Sequence, residues 1–273
     1  MEVTLKHKHN PKYRGRIAPT PSGYLHEGHA RTFCVAWQRA RDAGGALIFR
    51  NDDLDADRCR PEFARSAIED LRSLGLDWDE GPDVGGTYGP YSQSKRDEHY
   101  LDAWQTLRDS GMIYPCRSSR SEIKAFNQKS MDGEEFLFPP QLQPQETKLP
   151  LPEAPGKVNW RFRTTPSEEI SFMDRNLGVQ IFKVGEDFSD FIIWRKNGRP
   201  SYELATVVDD ITMCITEIVR GSDLLKSSAR QTLVFSALEA TPPEFYHCEI
   251  MMDENGRKLS KSDRTLPRLS LSF

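Results

Sequence analysis

The sequence predicts an α/β protein built on a parallel nucleotide-binding sheet, with a less regular segment inserted into it. Three observations carry this reading. A strand–loop–helix–strand run opens near residue 14, a polar proline-rich stretch interrupts the pattern after residue 116, and strand and helix patterns resume at about residue 158. The 273 residues suffice for one large domain carrying a smaller insertion. The expected divisions are an N-terminal extension (1–13), the first half of the sheet domain (14–115), an inserted subdomain (116–200) and the second half of the sheet domain (201–273).

Each element has a local reason. Gly15 to Ala18 reads as a short strand, closed by Pro19 and Pro21. From Gly28 to Ala43, the residues Ala30, Phe33, Trp37 and Ala40 recur at helical spacing until Gly44-Gly45 stops them. Ala46 to Phe49 is a compact apolar strand. A second helix opens with Pro61 in its first turn and carries Phe63, Ala67, Leu71 and Leu74 on one stripe. A third spans roughly Lys95 to Ser110, with Tyr100, Trp104 and Leu107 inward.

Residues 117 to about 157 show no sustained period and read as irregular. Strand-like segments return at Val158 to Arg163 and Phe188 to Trp194. A helix over Ser201 to Val208, a strand over Cys214 to Val219 and a helix over Leu224 to Leu238 follow. Asn255-Gly256 then turns the chain into a basic loop, Arg257 to Arg264.

Hydrophobic residues at 37% and charged residues at 29% are ordinary for a globular protein. No apolar run reaches the length of a membrane span and the N-terminus lacks a signal-peptide block, so a cytoplasmic location without a membrane partner is expected. The five cysteines form no CxxC pair, which indicates neither a disulfide framework nor a zinc knuckle. With a net charge of −4, any nucleic-acid contact must come from a local basic face. Arg39, Arg41, Arg195, Lys196 and Arg199 could contribute to one, although each taken alone reads as scattered surface charge.

Two motifs carry chemistry. His26-Glu27-Gly28-His29 sets two imidazoles three positions apart beside a helix N-terminus, where they can donate to phosphate oxygens; Gly28 leaves room for a flat base. Lys258-Leu259-Ser260-Lys261-Ser262 offers two cations on a loop, able to neutralise a pyrophosphate leaving group. In isolation the first also reads as a pair of structural histidines and the second as a solvated basic loop.

Together, HxGH near the start and KLSKS near the end resemble the paired signatures of class I aminoacyl-tRNA synthetases. RIAPTPSGYLHEGHART, RNDDLD, GLDWDEGPDVGGTYGPYSQSKR and SYELATVVDDITMCITEIVRGSDLL resemble the ordered motifs of the glutamyl family. The resemblance implies a Rossmann-type catalytic domain with a parallel sheet and an inserted α+β acceptor-type subdomain. It also implies that His26, His29, Lys258 and Lys261 serve catalysis and, with Gly28, bind ATP. Arg16 and Arg220 would bind the carboxylates of L-glutamate, a task suited to fork-shaped cations. Asp52, which stands where many relatives have Glu, would hold the ammonium group. Ala18 (through its backbone), Thr20 and Tyr202 would complete the pocket.

The implied chemistry is attack by a glutamate carboxylate oxygen on the α-phosphorus of ATP, with Mg²⁺ on the phosphates, followed by transfer of the acyl group to an RNA hydroxyl. DFIIWRKNGRPSYELA and FYHCEIMMDENGRKLSKS resemble the short branch of the family, the glutamyl-queuosine tRNA(Asp) synthetases. The sequence runs eleven residues past Ser262, so the anticodon-gripping domains of full ligases are not expected. The favoured RNA is therefore tRNA(Asp), and a monomer is expected. Cys116-Arg117-Ser118 keeps one candidate zinc ligand, so no structural zinc is expected. Three other readings stay open: a catalytic fragment charging the 3′ end of tRNA(Glu), an enzyme passing glutamate to another acceptor, and a synthetase-like binding module.

Overall fold

The computed structural model describes residues 12–144 and 151–250. Strand β1 (Arg14–Ile17), helix α1 (Glu27–Asp42) and strand β2 (Ala46–Phe49) form a βαβ unit. The two strands pair in parallel, from Arg14 opposite Ala46 to Ile17 opposite Phe49. Helix α1 buries Ala30, Cys34, Ala36 and Ala40, small side chains that let it lie close to the strands. Gly45 is obligatory at the return. A Cβ there would stand 2.4 Å from the carbonyl oxygen of Tyr13, which accepts the amide hydrogen of Ala46.

Helix α2 (Pro61–Ser73) starts on its proline and buries Ala67 and Leu71. Helix α3 (Asp97–Asp109) buries Tyr100, Ala103, Trp104 and Leu107. It begins two residues later than the spacing predicts. Gln93–Lys95 forms a separate 3-10 turn, and Arg96 breaks helical geometry at φ −122° and ψ 19° while its guanidinium turns inward.

From residue 113 the chain supplies β3 (Ile113–Cys116), the short helix α4 (Arg120–Ala125), β4 (Asn159–Phe162), β5 (Glu169–Asp174), β6 (Gly178–Lys183) and β7 (Ile192–Trp194). Strands β3, β4 and β7 make an antiparallel sheet in that order. The proline-rich stretch is not wholly irregular. Ser119 caps α4 by accepting from the Glu122 amide, while the Glu122 carboxylate accepts from the Ser119 amide.

The remaining elements are α5 (Tyr202–Thr212), β8 (Glu217–Gly221), α6 (Leu225–Ala237) and β9 (Glu244–Cys248). β8 and β9 pair in parallel. The hairpin β5–β6 joins them, with Asp174 of β5 opposite Phe245 of β9, to give the order β6-β5-β9-β8. The entry to β8 lies against β1, where the Thr216 amide donates to the Arg14 carbonyl at 2.9 Å.

Two expected strands are shorter in the structure. The segment predicted to begin at Cys214 instead finishes helix α5: the Met213 and Ile215 amides bond back to the Asp209 and Asp210 carbonyls, and Cys214 adopts φ +55°. Pairing therefore starts at Glu217. Of Phe188 to Trp194 only Ile192–Trp194 pairs as a strand, because the Phe188 carbonyl closes a turn by accepting from the Gly185 amide. Among the described residues no helix is long and apolar enough to cross a membrane.

The largest apolar core runs between α3, the β3-β4-β7 sheet, α5 and α6. At its centre Trp104 and Trp160 meet edge to face, with ring centroids 4.8 Å apart. Trp160→Ala should destabilise the fold by about 3–5 kcal/mol, measured by urea unfolding, because it removes a fully buried indole from a site anchored on several elements.

Candidate active site

The loop after β1, the start of α1, the end of β2, the start of α5 and the end of β8 converge on one pocket of about 370 Å³. Its walls include Arg16, Ala18, Thr20, His26, Gly28, His29, Asp52, Tyr202 and Arg220. Nine residues singled out from the sequence are thus brought together. Lys258 and Lys261 lie outside the described residues.

The floor is a buried charge network that sequence reasoning missed. Arg50, just past β2, is fully buried and binds Asp52 through Nε at 2.7 Å and Asp210 through Nη1 at 2.6 Å. Asp209 lies 3.6 Å from Arg50 and binds Arg96 Nε at 2.7 Å, the Gln93 amide at 2.8 Å and the Tyr100 hydroxyl at 3.1 Å. Arg16 donates to the Val219 carbonyl at 2.8 Å, and its Nε stands 3.7 Å from Asp210. Burial works against the charge on Arg50, but Asp52, Asp210 and Asp209 hold its pKa well above the usual value. Asp52 is pushed up to about 6, chiefly by burial, with Asp209 adding to the shift while Arg50 and Arg16 oppose it.

The network had a faint signal in the sequence. In RNDDLD, Arg50 and Asp52 are two apart and share a face of extended chain, while Asp209-Asp210 sits in an otherwise apolar helical run. Neither dyad announces that the two segments meet.

Arg220 differs from Arg50. It is 5% exposed, and its hydrogen-bond partners are neutral: Ser228 Oγ and Gln231 Oε1 at 2.8 Å, the Tyr202 hydroxyl at 3.3 Å and His247 Nε2 at 3.4 Å. Among the described residues no carboxylate forms an ion pair with it. A buried guanidinium held in place by neutral side chains is suited to receive an anion.

At the opposite wall the His26 and His29 rings stack with centroids 3.7 Å apart, and the His26 amide donates to His29 Nδ1 at 3.4 Å. Both imidazoles stand at the first turn of α1, where the helix end favours negative charge. Among the described residues no group of three or more His, Cys, Asp or Glu side chains is placed to hold a metal ion. Cys116 is buried at the end of β3.

A second cavity of about 1210 Å³ shares Tyr202 with the first. Arg117, Arg120, Lys124, Lys157, Arg161, Arg195, Lys196 and Arg230 line it, against only Glu135, Asp190 and Glu203. The basic residues considered from the sequence are therefore divided. Arg195 and Lys196 face this cavity, whereas Arg39 pairs with Glu217, Arg41 with Asp77 and Asp79, and Arg199 with Asp97.

The family model described as "tRNA synthetases class I (E and Q), catalytic domain" matches residues 12–269. A glutamyl-Q tRNA(Asp) synthetase of Symbiobacterium thermophilum is 45% identical over 252 residues, which span 90% of this chain and 77% of that protein. Another from Nitratidesulfovibrio vulgaris is 39% identical over 255 residues, spanning 93% and 79%. A glutamate–tRNA ligase of Symbiobacterium thermophilum is 40% identical, but the chain spans only 52% of its length. The crystal structure of a glutamate-tRNA synthetase from Elizabethkingia anophelis matches with a TM-score of 0.78 at 28% identity, over 93% of this chain and 53% of that one.

Removing Asp209 would leave Arg50 and Arg96 each short of a buried counter-charge. Asp209→Ala should cost about 3–5 kcal/mol in guanidinium unfolding, and Arg96→Met in the same chain should recover part of that loss.

Proposed function

The chain belongs to the class I tRNA synthetases of the glutamate and glutamine group, and we propose that it activates L-glutamate with ATP and transfers it to the queuosine base of tRNA(Asp). One observation carries this reading: two buried guanidiniums, Arg16 and Arg220, open into the same pocket as a carboxylate, Asp52, and a pair of histidines at a helix N-terminus. A dicarboxylic amino acid has the complementary charges.

In the proposed ground state Arg16 and Arg220 bind the glutamate carboxylates, Asp52 takes the ammonium group, and Ala18, Thr20 and Tyr202 shape the remaining wall. His26, Gly28 and His29 receive ATP, with Lys258 and Lys261 assigned to its phosphates. A glutamate carboxylate oxygen then attacks the α-phosphorus; the P–O bond to pyrophosphate breaks and glutamyl adenylate forms. This step requires no protein nucleophile, so catalysis rests on holding the reactants in line and stabilising charge on the departing pyrophosphate. Magnesium would travel on the ATP phosphates, where it would help neutralise the departing pyrophosphate.

Transfer needs an RNA hydroxyl beside the adenylate. The basic cavity that meets the glutamate pocket at Tyr202 supports an RNA-facing role for that side. A relative named for tRNA(Asp) is 45% identical to this chain, against 40% for the glutamate–tRNA ligase of the same organism; this favours tRNA(Asp) over tRNA(Glu). A monomer acting in the cytoplasm completes the proposal.

Glutamate-dependent ATP–pyrophosphate exchange, followed by transfer of labelled glutamate, tests it. The expected result is exchange, then label on queuosine-modified tRNA(Asp) that mild base releases. Label on the 3′ end of tRNA(Glu) would make the chain a ligase catalytic unit, and ATP binding without exchange would make it a binding module.

The pH profile tests the role of Asp52 separately. Its carboxyl in the free pocket has a pKa of about 6, so it is charged above that value and neutral below it. kcat/KM for glutamate should level off about one unit above pH 6 and approach a tenfold fall per unit about one unit below it, provided that Asp52 is the ammonium-binding group. Asp52→Asn should lower kcat/KM and abolish this break.

A further inference from the structure

Arg220 is held by an apparatus whose composition has a consequence for substrate binding. Behind it, on β9, His247 is completely buried. Its Nδ1 lies 2.6 Å from Oδ2 of Asp174, at the end of β5, and its Nε2 lies 2.8 Å from Ser228 Oγ on α6. Ser228 Oγ in turn accepts from Arg220 Nη2 at 2.8 Å, and Arg220 Nε points at His247 Nε2 at 3.4 Å. Asp174 cannot turn away, because its carboxylate also accepts the amides of Asn176, Leu177 and His247.

The directions of these bonds are chemically determined. The Asp174 carboxylate can only accept, so it takes the Nδ1 proton and leaves Nε2 as a lone pair. That lone pair faces Arg220 Nε and the Ser228 hydroxyl, whose one proton has both Nε2 and the Leu224 carbonyl as acceptors. Burial, with Arg220 beside it, pushes His247 down to about 4 against the pull of Asp174, which keeps the ring neutral.

We propose that Asp174 and His247 act as positioning residues for glutamate binding: they fix Arg220 through a neutral acceptor, so that its charge remains for the substrate carboxylate. Asp174 supplies orientation from two bonds away without pairing with the guanidinium. A carboxylate in the place of His247 would hold Arg220 equally well but would neutralise it. This inference rests on Arg220 binding glutamate, and it adds two residues to which the sequence analysis gave no role.

The experiment uses the full chain and reads KM for glutamate and for ATP in the pyrophosphate-exchange assay, together with the thermal midpoint. His247→Ala and Asp174→Asn should each raise the glutamate KM about tenfold or more while leaving the ATP KM within about twofold. The first removes the acceptor behind Nε and the partner that holds Ser228, and the second frees the ring to adopt the tautomer that aims a hydrogen at Arg220. His247→Gln, whose side-chain oxygen can accept from Arg220, should recover most of the glutamate KM. Unchanged glutamate KM in folded His247→Ala and Asp174→Asn overturns the proposal, as does a parallel rise in both KM values or a His247→Gln variant no better than His247→Ala. Absence of glutamate-dependent exchange in the unaltered chain would instead refute the functional reading on which the inference stands.

Discussion

The site depends on burying opposite charges in register beneath the sheet edge. Arg50 is the hinge of this arrangement: it comes from the first βαβ unit, yet two of the three carboxylates around it, Asp209 and Asp210, come from a helix about 160 residues further on. Each of these ions would cost several kcal/mol if buried alone, so the segments around Arg50 and around Asp209-Asp210 must meet for the pocket floor to form. Arg96 and Tyr100 extend the same logic to α3 through Asp209. The pocket is therefore preorganised by electrostatic necessity, and a substrate need not gather its own ligands.

Within this frame the two arginines that line the pocket wall, Arg16 and Arg220, are treated differently. Arg16 shares Asp210 at 3.7 Å, while Arg220 is surrounded by neutral acceptors. Asp52, Asp209 and Asp210 gather around Arg50, so the charge that Arg220 brings to the pocket is not held by that network. Complementarity of that charge to a carboxylate discriminates strongly, because an uncharged analogue would leave a buried cation unpaired. The wider basic cavity beyond Tyr202 has a different character: its charge excess and size suit a polyanion held through its backbone.

Much of this was legible in the sequence, and the failures have definite causes. The βαβ unit over residues 14–49 could be read because its apolar positions, Gly45 and the double proline all obey local rules. Helix α4 was missed although Ser119 and Glu122 form a capping box, because six residues inside a proline-rich run show no periodicity. The β5–β6 hairpin was missed because Met173, Val179 and Ile181 are apolar yet exposed, which blurs the alternation that marks a half-buried strand. The pocket residues Arg16, His26, Asp52, Tyr202 and Arg220 were found through motifs. Arg50, Asp209, Asp174 and His247 were not, since their importance lies in partners between 70 and 160 residues away. Spacing along a chain cannot report such pairings.

On the proposed function, Arg220 offers its positive charge to a substrate carboxylate. Titration calorimetry of the full chain with L-glutamate and L-glutamine, repeated on Arg220→Gln, measures this directly. Saturable binding of glutamate, much weaker binding of glutamine and loss of glutamate binding in Arg220→Gln are the predicted results. Equal affinity for the two amino acids, or undiminished glutamate binding in folded Arg220→Gln, would contradict it.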